Sequence, residues 1–220
     1  MKTFYVVLSL ALCAGALADV AVINQAVDEL LDSGREVLKA RGQDKIPIPN
    51  LDKKFDKKIW TTVIHGEFHA NGGLFQDTTS IKRTGDVSMK TEGNKLTLSA
   101  SMGLGLLEVD FSHYSFQLLA IHSEGSIHAT CTRNSINAII TIIRQGKQCN
   151  VQLNSAQIVD LGNFNVQMSG PGDLNKLGSM LFTWVLNQFN DLIRGQINRH
   201  IEDALREAMK KVDLCKKIPF

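Results

Sequence analysis

Residues 96–106 read Leu96-Thr97-Leu98-Ser99-Ala100-Ser101-Met102-Gly103-Leu104-Gly105-Leu106. Leu96, Leu98, Ala100, Met102, Leu104 and Leu106 take every second position, with Thr, Ser and Gly between them. Period two is the signature of a strand, because successive side chains point to opposite faces. One face here is apolar and the other polar, the pattern of an antiparallel sheet buried on one side. Gly103 and Gly105 leave room for a bend, a bulge or a close backbone approach.

The alternation extends outward from this stretch, over about 59–168. Trp60, Thr62, Ile64, Gly66 and Phe68 alternate with Thr61, Val63, His65 and Glu67. Further strands are expected at 111–121, 127–143, 151–159 and 164–168. Asn71-Gly72-Gly73, Glu92-Gly93-Asn94, Glu124-Gly125, Gln145-Gly146 and Gly162-Asn163 supply turn residues between them.

Both flanks change period. In 20–40, Val20, Ile23, Val27, Leu30, Leu31, Val37 and Leu38 recur at helical spacing, with charged residues opposite and Gly42 as a stop. Ile46-Pro47-Ile48-Pro49-Asn50 then reads as a stiff extended connector. Lys53, Lys54, Lys57 and Lys58 follow around Phe55 and Asp56, as a solvated link or as a contact for anionic head groups. After Ser169-Gly170-Pro171-Gly172, Asp173 is a candidate N-cap for a long helix reaching about Leu214. Gly195 is a place where that helix would kink or divide. Its first half holds Leu181, Trp184 and Phe189 and is the part expected to be enclosed; its second half is more charged.

Helix, many antiparallel strands and long helix make an α+β chain. A long helix with a wide apolar stripe needs an equally long partner. A strongly curved antiparallel sheet rolled along the C-terminal helix, with an N-terminal amphipathic helix, supplies one.

The first residues read as an address. Lys2, the apolar run from Phe4 to Leu12, and Ala16-Leu17-Ala18 before Asp19 have the layout of a cleavable signal peptide at 1–18. The run is shorter than the roughly 20 residues a bilayer requires. Residues 19–220 are then expected to form one extracellular domain with no transmembrane segment. A formal net charge of +2 gives no basic face for nucleic acid. With aromatics at only 6%, Leu, Ile and Val must build the interior.

Cys131, Cys149 and Cys215 remain after the leader, an odd number for an oxidising compartment. Cys131–Cys149 is the default bridge, since both lie in one stretch of sheet. A two-residue turn at Gln145-Gly146 would instead set Cys149 across from Ile142, with Cys131 far along the hairpin, and Cys215 is then the alternative partner. Catalytic patterns are missing: there is no GxSxG, no P-loop and no HExxH. His65 and His69 share one side of a strand but stand roughly 13 Å apart, too far to share a zinc. No metal and no cofactor is expected, and no enzyme.

Ile46-Pro47-Ile48-Pro49, Lys54-Phe55, Gly66-Glu67 and Lys82-Arg83-Thr84-Gly85-Asp86-Val87-Ser88-Met89-Lys90 resemble the arthropod group-7 mite-allergen family, with Lys-Arg-x-Gly-Asp the most telling piece. That family is similar in fold to one half of the bactericidal/permeability-increasing and lipopolysaccharide-binding proteins, and to the takeout and juvenile-hormone-binding proteins. The resemblance implies an apolar groove between curled sheet and long helix that takes a lipid or other apolar small molecule. Leu96, Leu98, Met102, Leu104, Leu181, Trp184 and Phe189 are the expected contacts. The alternative is recognition of a bacterial lipopeptide or lipopolysaccharide in innate defence.

Overall fold

The alternating run forms β6 (Lys95–Gly103), with Leu96, Leu98, Ala100 and Met102 all buried. Leu104 is buried just beyond it, but Leu106 is 40% exposed because the strand has ended. The structure is a computed structural model that describes residues 2–59, 62–170 and 178–218, and side chains at 20–56, 63, 65–162, 164–170, 187, 190–192 and 194–218. In chain order the other elements are α1 (Lys2–Ala40), β1 (Lys45–Ile48), β2 (Leu51–Ile59), β3 (Thr62–Gln76), a 3-10 turn (Thr78–Ser80), β4 (Lys82–Arg83), β5 (Ser88–Glu92), β7 (Leu107–Leu118), β8 (Ile121–Gln145), β9 (Gln148–Met168), α2 (Gly178–Ala208) and α3 (Leu214–Lys217).

Among the described residues, nine antiparallel strands make one open sheet. Its spine is the β8–β9 hairpin, of 25 and 21 residues. Strands of about 5–6 residues are usual, and such long ones curl only if their pairing is interrupted. Bulges do this between Ser135 and Ile136 and between Ile139 and Ile140 against β9, and between Phe111 and Tyr114 against β8. Each adds a residue on one side and increases the local twist. Asn154 is the extra residue of one bulge, and the buried Thr141 hydroxyl donates to its Oδ1 at 2.8 Å. β7 and β6 pair with successive halves of β8 along one edge, while β9 runs along the other.

Several expected loops are strand. The proline connector is β1, an edge strand against β3, where proline's missing N–H costs no ladder bond. The lysine link is β2, paired with β3 from Leu51 opposite Ala70 to Ile59 opposite Thr62. Asn71-Gly72-Gly73, Glu124-Gly125 and Gly162-Asn163 lie inside β3, β8 and β9. Glu92-Gly93-Asn94 does turn the chain, from β5 into β6. The β8–β9 turn is Gly146-Lys147, one residue later than expected, because Gln145 pairs with Gln148; Gly146 takes φ 61.

That register decides the cysteines. Cys149 lies opposite Arg144 and Cys131 opposite Phe164, far along the same hairpin. The default Cys131–Cys149 bridge is therefore incorrect. Cys149 bonds Cys215 of α3, and Cys131 is a buried free thiol. Arg144 fastens the same corner, its Nη2 donating to the Cys215 and Ile218 carbonyls at 2.6 and 3.0 Å. Lys217 pairs with Glu29 of α1 at 2.5 Å, and that hydrogen bond lowers the Glu29 pKa.

α1 ends as expected at Gly42. The Gln43 N–H donates to the Leu38 carbonyl and the Gly42 N–H to Lys39, with Gly42 at φ 64, which is a Schellman cap. Ile23, Val27, Leu30, Leu31, Val37 and Leu38 face the core. Gly34 does not break this helix; it lies against α2, and a Cβ there would meet Leu205 Cδ2 at 3.5 Å, an ordinary contact. Gly34→Ala is therefore expected to stabilise the protein by up to about 1 kcal/mol through helix propensity. Thermal unfolding of the single variant checks it, and a lower melting temperature would show that α2 cannot take the methyl.

α2 is continuous through Gly195 and stops at Ala208, short of the expected Leu214. Asp173 lies outside the described residues, as do the side chains of Leu181, Trp184 and Phe189 and so the expected enclosure of that first half. The charged second half closes the free edge of β9. Arg194 Nη1 donates to the Ile158 carbonyl at 3.2 Å and Arg206 Nη1 to that of Leu153 at 3.0 Å. Asn198 Oδ1 accepts from the Ile158 N–H at 2.8 Å and Glu202 Oε1 from that of Ala156 at 3.1 Å. These residues recur every fourth position, one line along the helix, and give an edge strand the partners it lacks. The neighbouring line, Ile197, Ile201, Ala204, Leu205 and Ala208, is buried in the core.

Candidate functional site

The largest apolar feature is the concave face of the sheet. Side chains directly opposite each other in a ladder share a face, so register gives its floor. In one half, Met102, Ala100, Leu98 and Leu96 of β6 face Ile136, Ala138, Ile140 and Ile142 of β8. The same β8 residues face Ile158, Ala156, Leu153 and Val151 of β9. In the other half, Leu107, Val109 and Phe111 of β7 face Cys131, Ala129 and Ile127, which face Phe164, Val166 and Met168. Phe68 and Ala70 of β3 extend this half beside Phe116 and Tyr114.

Cover differs between the halves. Leu96, Leu98 and Met102, expected as ligand contacts, are each 1% exposed, and Leu104 is 5% exposed. They stand in the half where the buried residues of α1 and α2 complete a continuous core. Phe164, Val166 and Met168 are only partly buried, as is Leu192 of α2. Among the described floor residues the partly buried ones are Val151 in the first half and these three at the end of β9. These residues, with Phe55, Tyr114 and Phe116, were not among the expected contacts. Their alternation is visible in sequence, but their neighbourhood depends on register, which is not.

Leaving β9, the chain crosses the inner face at Ser169 and Gly170. A Cβ on Gly125 would lie 2.0 Å from the Ser169 carbonyl oxygen, so only glycine fits beneath the crossing. The buried hydroxyls of Tyr114 and Ser123 donate to the Ser169 and Gly170 carbonyls at 3.0 and 2.9 Å. The Ser169 N–H donates to the Ser126 carbonyl, and Ser169 Oγ accepts from the Ser126 N–H. This polar knot satisfies the groups buried there. The Phe55 ring lies over Gly66 and stacks on Phe116, with centroids 5.9 Å apart.

Lys82-Arg83-Thr84-Gly85-Asp86 is a clasp rather than a reactive site. Arg83 Nε and Nη2 each donate at 2.9 Å to one carboxylate oxygen of Asp28 on α1, and Nη1 donates to the Gly85 carbonyl. Asn24 donates to Asp86 and accepts from the Val87 N–H, while Arg35 donates to the Ile81 carbonyl. The Asp28 carboxylate pushes the Arg83 pKa further up. The clasp holds α1 on the sheet. Arg83→Ala is expected to destabilise by about 2 kcal/mol, the worth of hydrogen bonds to a charged group. Arg83→Lys should recover little of this, because the two-pronged geometry is lost; urea unfolding of both variants checks it.

Three of the six histidines, His65, His69 and His128, lie on the outer face of the sheet, each beside a carboxylate. His65 meets Asp56 at 2.6 Å, His69 meets Asp52 at 2.7 Å and His128 meets Asp110 at 2.6 Å. Among the described residues no group of three or more His, Cys, Asp or Glu is placed to hold a metal ion. The hydrogen bond to Asp52 raises the His69 pKa. Its contribution to stability is therefore present in acid and lost as pH rises through that raised value. Burial pushes the Cys131 thiol pKa up, which leaves it protonated and a poor nucleophile. No helix among the described residues is long and apolar enough to cross a membrane.

The mite allergen Der p 7 of Dermatophagoides pteronyssinus is 18% identical over 191 residues, 86% of this chain and 86% of that protein. Among solved structures, a lipopolysaccharide binding protein is 18% identical with a TM-score of 0.47, covering 90% of this chain and 39% of that one, so this chain spans about two fifths of its length. Takeout 1 of Epiphyas postvittana is 14% identical with a TM-score of 0.29, covering 87% of each chain. The family model described as Group 7 allergen matches residues 22–210. That span takes in the clasp, the full sheet, all of α2 and the second half of α1, and the chain belongs to the Group 7 allergen family.

Proposed function

We propose that this is a secreted binding protein, without catalysis, that holds a lipid or other apolar ligand against the concave face of the sheet. The observation that carries this is one continuous apolar floor across β6, β8, β9 and β7 whose partly buried residues fall mostly at the end of β9, at Phe164, Val166 and Met168. Ligand would enter along that stretch and reach inward toward Leu96, Leu98, Met102 and Leu104, with Leu181, Trp184 and Phe189 as contacts from α2. Burying an acyl chain gains about 0.8 kcal/mol per methylene. Met102 and Met168 adapt readily to different chains.

Secretion is proposed on the leader at 1–18, cleaved after Ala18, and is in keeping with the Cys149–Cys215 bridge. A second reading has one observation in its favour. Lys53 is exposed yet occupies a concave-side position of β2 between Leu51 and Phe55. A phosphorylated head group, as on a bacterial lipopeptide or lipopolysaccharide, would meet it there.

Displacement of a fluorescent fatty-acid probe tests the first reading. Wild type should bind, and Val166→Asp with Met168→Asp should weaken binding at least about tenfold by placing charge in an apolar contact. Equal binding by the double variant would exclude this entry. The second reading requires head-group binding that weakens as salt screens the lysines.

A further inference from the structure

β2 is an edge strand with little apolar hold on the sheet. Among the described residues its one strand partner is β3. Its inner side offers Leu51, Lys53 and Phe55, and Lys53 is exposed there. Leu51 is buried opposite Ala70. The Phe55 ring lies over Gly66 and on Phe116. Over 51–56, Leu51 and Phe55 are therefore the inner contacts that hold the strand.

On the outer side, each side chain of 52–56 meets a charged partner directly across the ladder. Asp52 lies opposite His69, Lys54 opposite Glu67 and Asp56 opposite His65, at 2.7, 2.8 and 2.6 Å. His69 Nε2 also approaches Glu67 at 3.6 Å. Asp52, His69, Glu67 and Lys54 thus form one chain of alternating charge across the two strands. Opposite charges placed this way stabilise an antiparallel pair. Two of the three rungs are ion pairs only while a histidine carries its proton, and an unperturbed histidine changes charge at about pH 6.5.

The neighbouring charges leave the histidines in control. Lys54 and Glu67 keep each other charged, their hydrogen bond raising the lysine pKa and lowering that of the glutamate. β7 sets uncharged Ser115 opposite His69 and Gln117 opposite Glu67. His113 of β7, opposite Asn71, adds a like charge on protonation but stands one strand farther from β2. His122 of β8 has its own carboxylate in Glu124, at 3.8 Å. The hydrogen bond to Asp52 raises the His69 pKa, so that rung is complete in acid and fades as pH rises through the raised value.

We propose that β2 is a pH-sensitive flap of the concave face. With His65 and His69 protonated it is clamped on β3; with both neutral it loosens and carries Phe55 off Gly66 and Phe116. Acid closes the flap, and neutral to alkaline conditions open it. No bound ligand is needed, because the clamp lies on the outer face and would work over an empty floor.

Hydrogen exchange of the full mature chain at about pH 5.5 and about pH 8 tests this, with each rate divided by that of an unstructured peptide of the same sequence. Protection of 52–56, taken relative to 136–142 of β8, should be at least about threefold greater at the lower pH, the worth of two exposed ion pairs. High salt should shrink the difference. His65→Gln with His69→Gln should remove it. Asp52→Asn with Asp56→Asn should remove it too, although both histidines remain. All four side chains are at least 43% exposed, so neither double variant disturbs the core, and wild-type protection of 136–142 shows that each is folded. A wild-type difference below about threefold overturns the flap, as does a wild-type difference that survives in either double variant.

Discussion

Gly125→Ala should destabilise the protein by about 4 kcal/mol. The added methyl would lie 2.0 Å from the Ser169 carbonyl oxygen and 2.7 Å from its carbon. Both are backbone, so no rotamer relieves the clash; the crossing itself must lift. Overpacking of this kind costs about 1–3 kcal/mol. Lifting the crossing also removes the acceptors of the buried Tyr114 and Ser123 hydroxyls, at about 1–3 kcal/mol for a buried polar group left unpaired. At about 2–4 °C per kcal/mol for a chain of this size, the melting temperature should fall by about 10 °C. Gly85→Ala is the control, since nothing lies within 4 Å of its added methyl, and it should stay within about 0.5 kcal/mol of wild type. A wild-type melting temperature for Gly125→Ala would mean that the chain does not cross there.

Removing the disulfide should have an effect of similar size by a different route. Cys149 and Cys215 are 66 residues apart. Closing a loop of that length lowers unfolded-chain entropy by an amount worth about 4 kcal/mol at room temperature. Cys149→Ser with Cys215→Ser should therefore lower the melting temperature by about 10 °C. The loss should centre on α3, whose other ties include the buried Leu214 and Ile218, Arg144 to the Cys215 and Ile218 carbonyls, and Lys217 to Glu29. Hydrogen exchange should show 214–218 deprotected first. Cys131 should not substitute as a partner, being buried at the far end of the hairpin. An unchanged melting temperature would show that the corner holds without its covalent link.

Alternation made the sheet legible, and its failures share one cause. Leu96 to Met102, the burial pattern of α1 and its stop at Gly42 follow from residue spacing and cap chemistry, which are local. The lysines of β2 read as a link because an edge strand can carry charge on both faces when one of its ladders is open to water. Glu124-Gly125 and Gly162-Asn163 read as turns because glycine marks close approach as well as reversal. Gly125 sits under a crossing that is distant in sequence. The bridge is not legible for the same reason: either register of the β8–β9 turn leaves Cys131 far along the hairpin, and only the fold brings α3 to Cys149. At the candidate site, the apolar row of β6 was visible, but Phe164, Val166 and Met168 matter through their partial burial beside β8, which depends on register. The Lys-Arg-x-Gly-Asp signature identified the family without revealing that its work is to pin α1.

Native mass spectrometry of the purified mature protein, followed by organic extraction, addresses the central claim most directly. Ligand binding on the concave face predicts a mass above that of the polypeptide, an excess that extraction removes, and a lipid or other apolar molecule in the extract. A clean polypeptide mass that does not shift on adding fatty acids or lipopeptides would contradict it, and the concave face would then be a packed core.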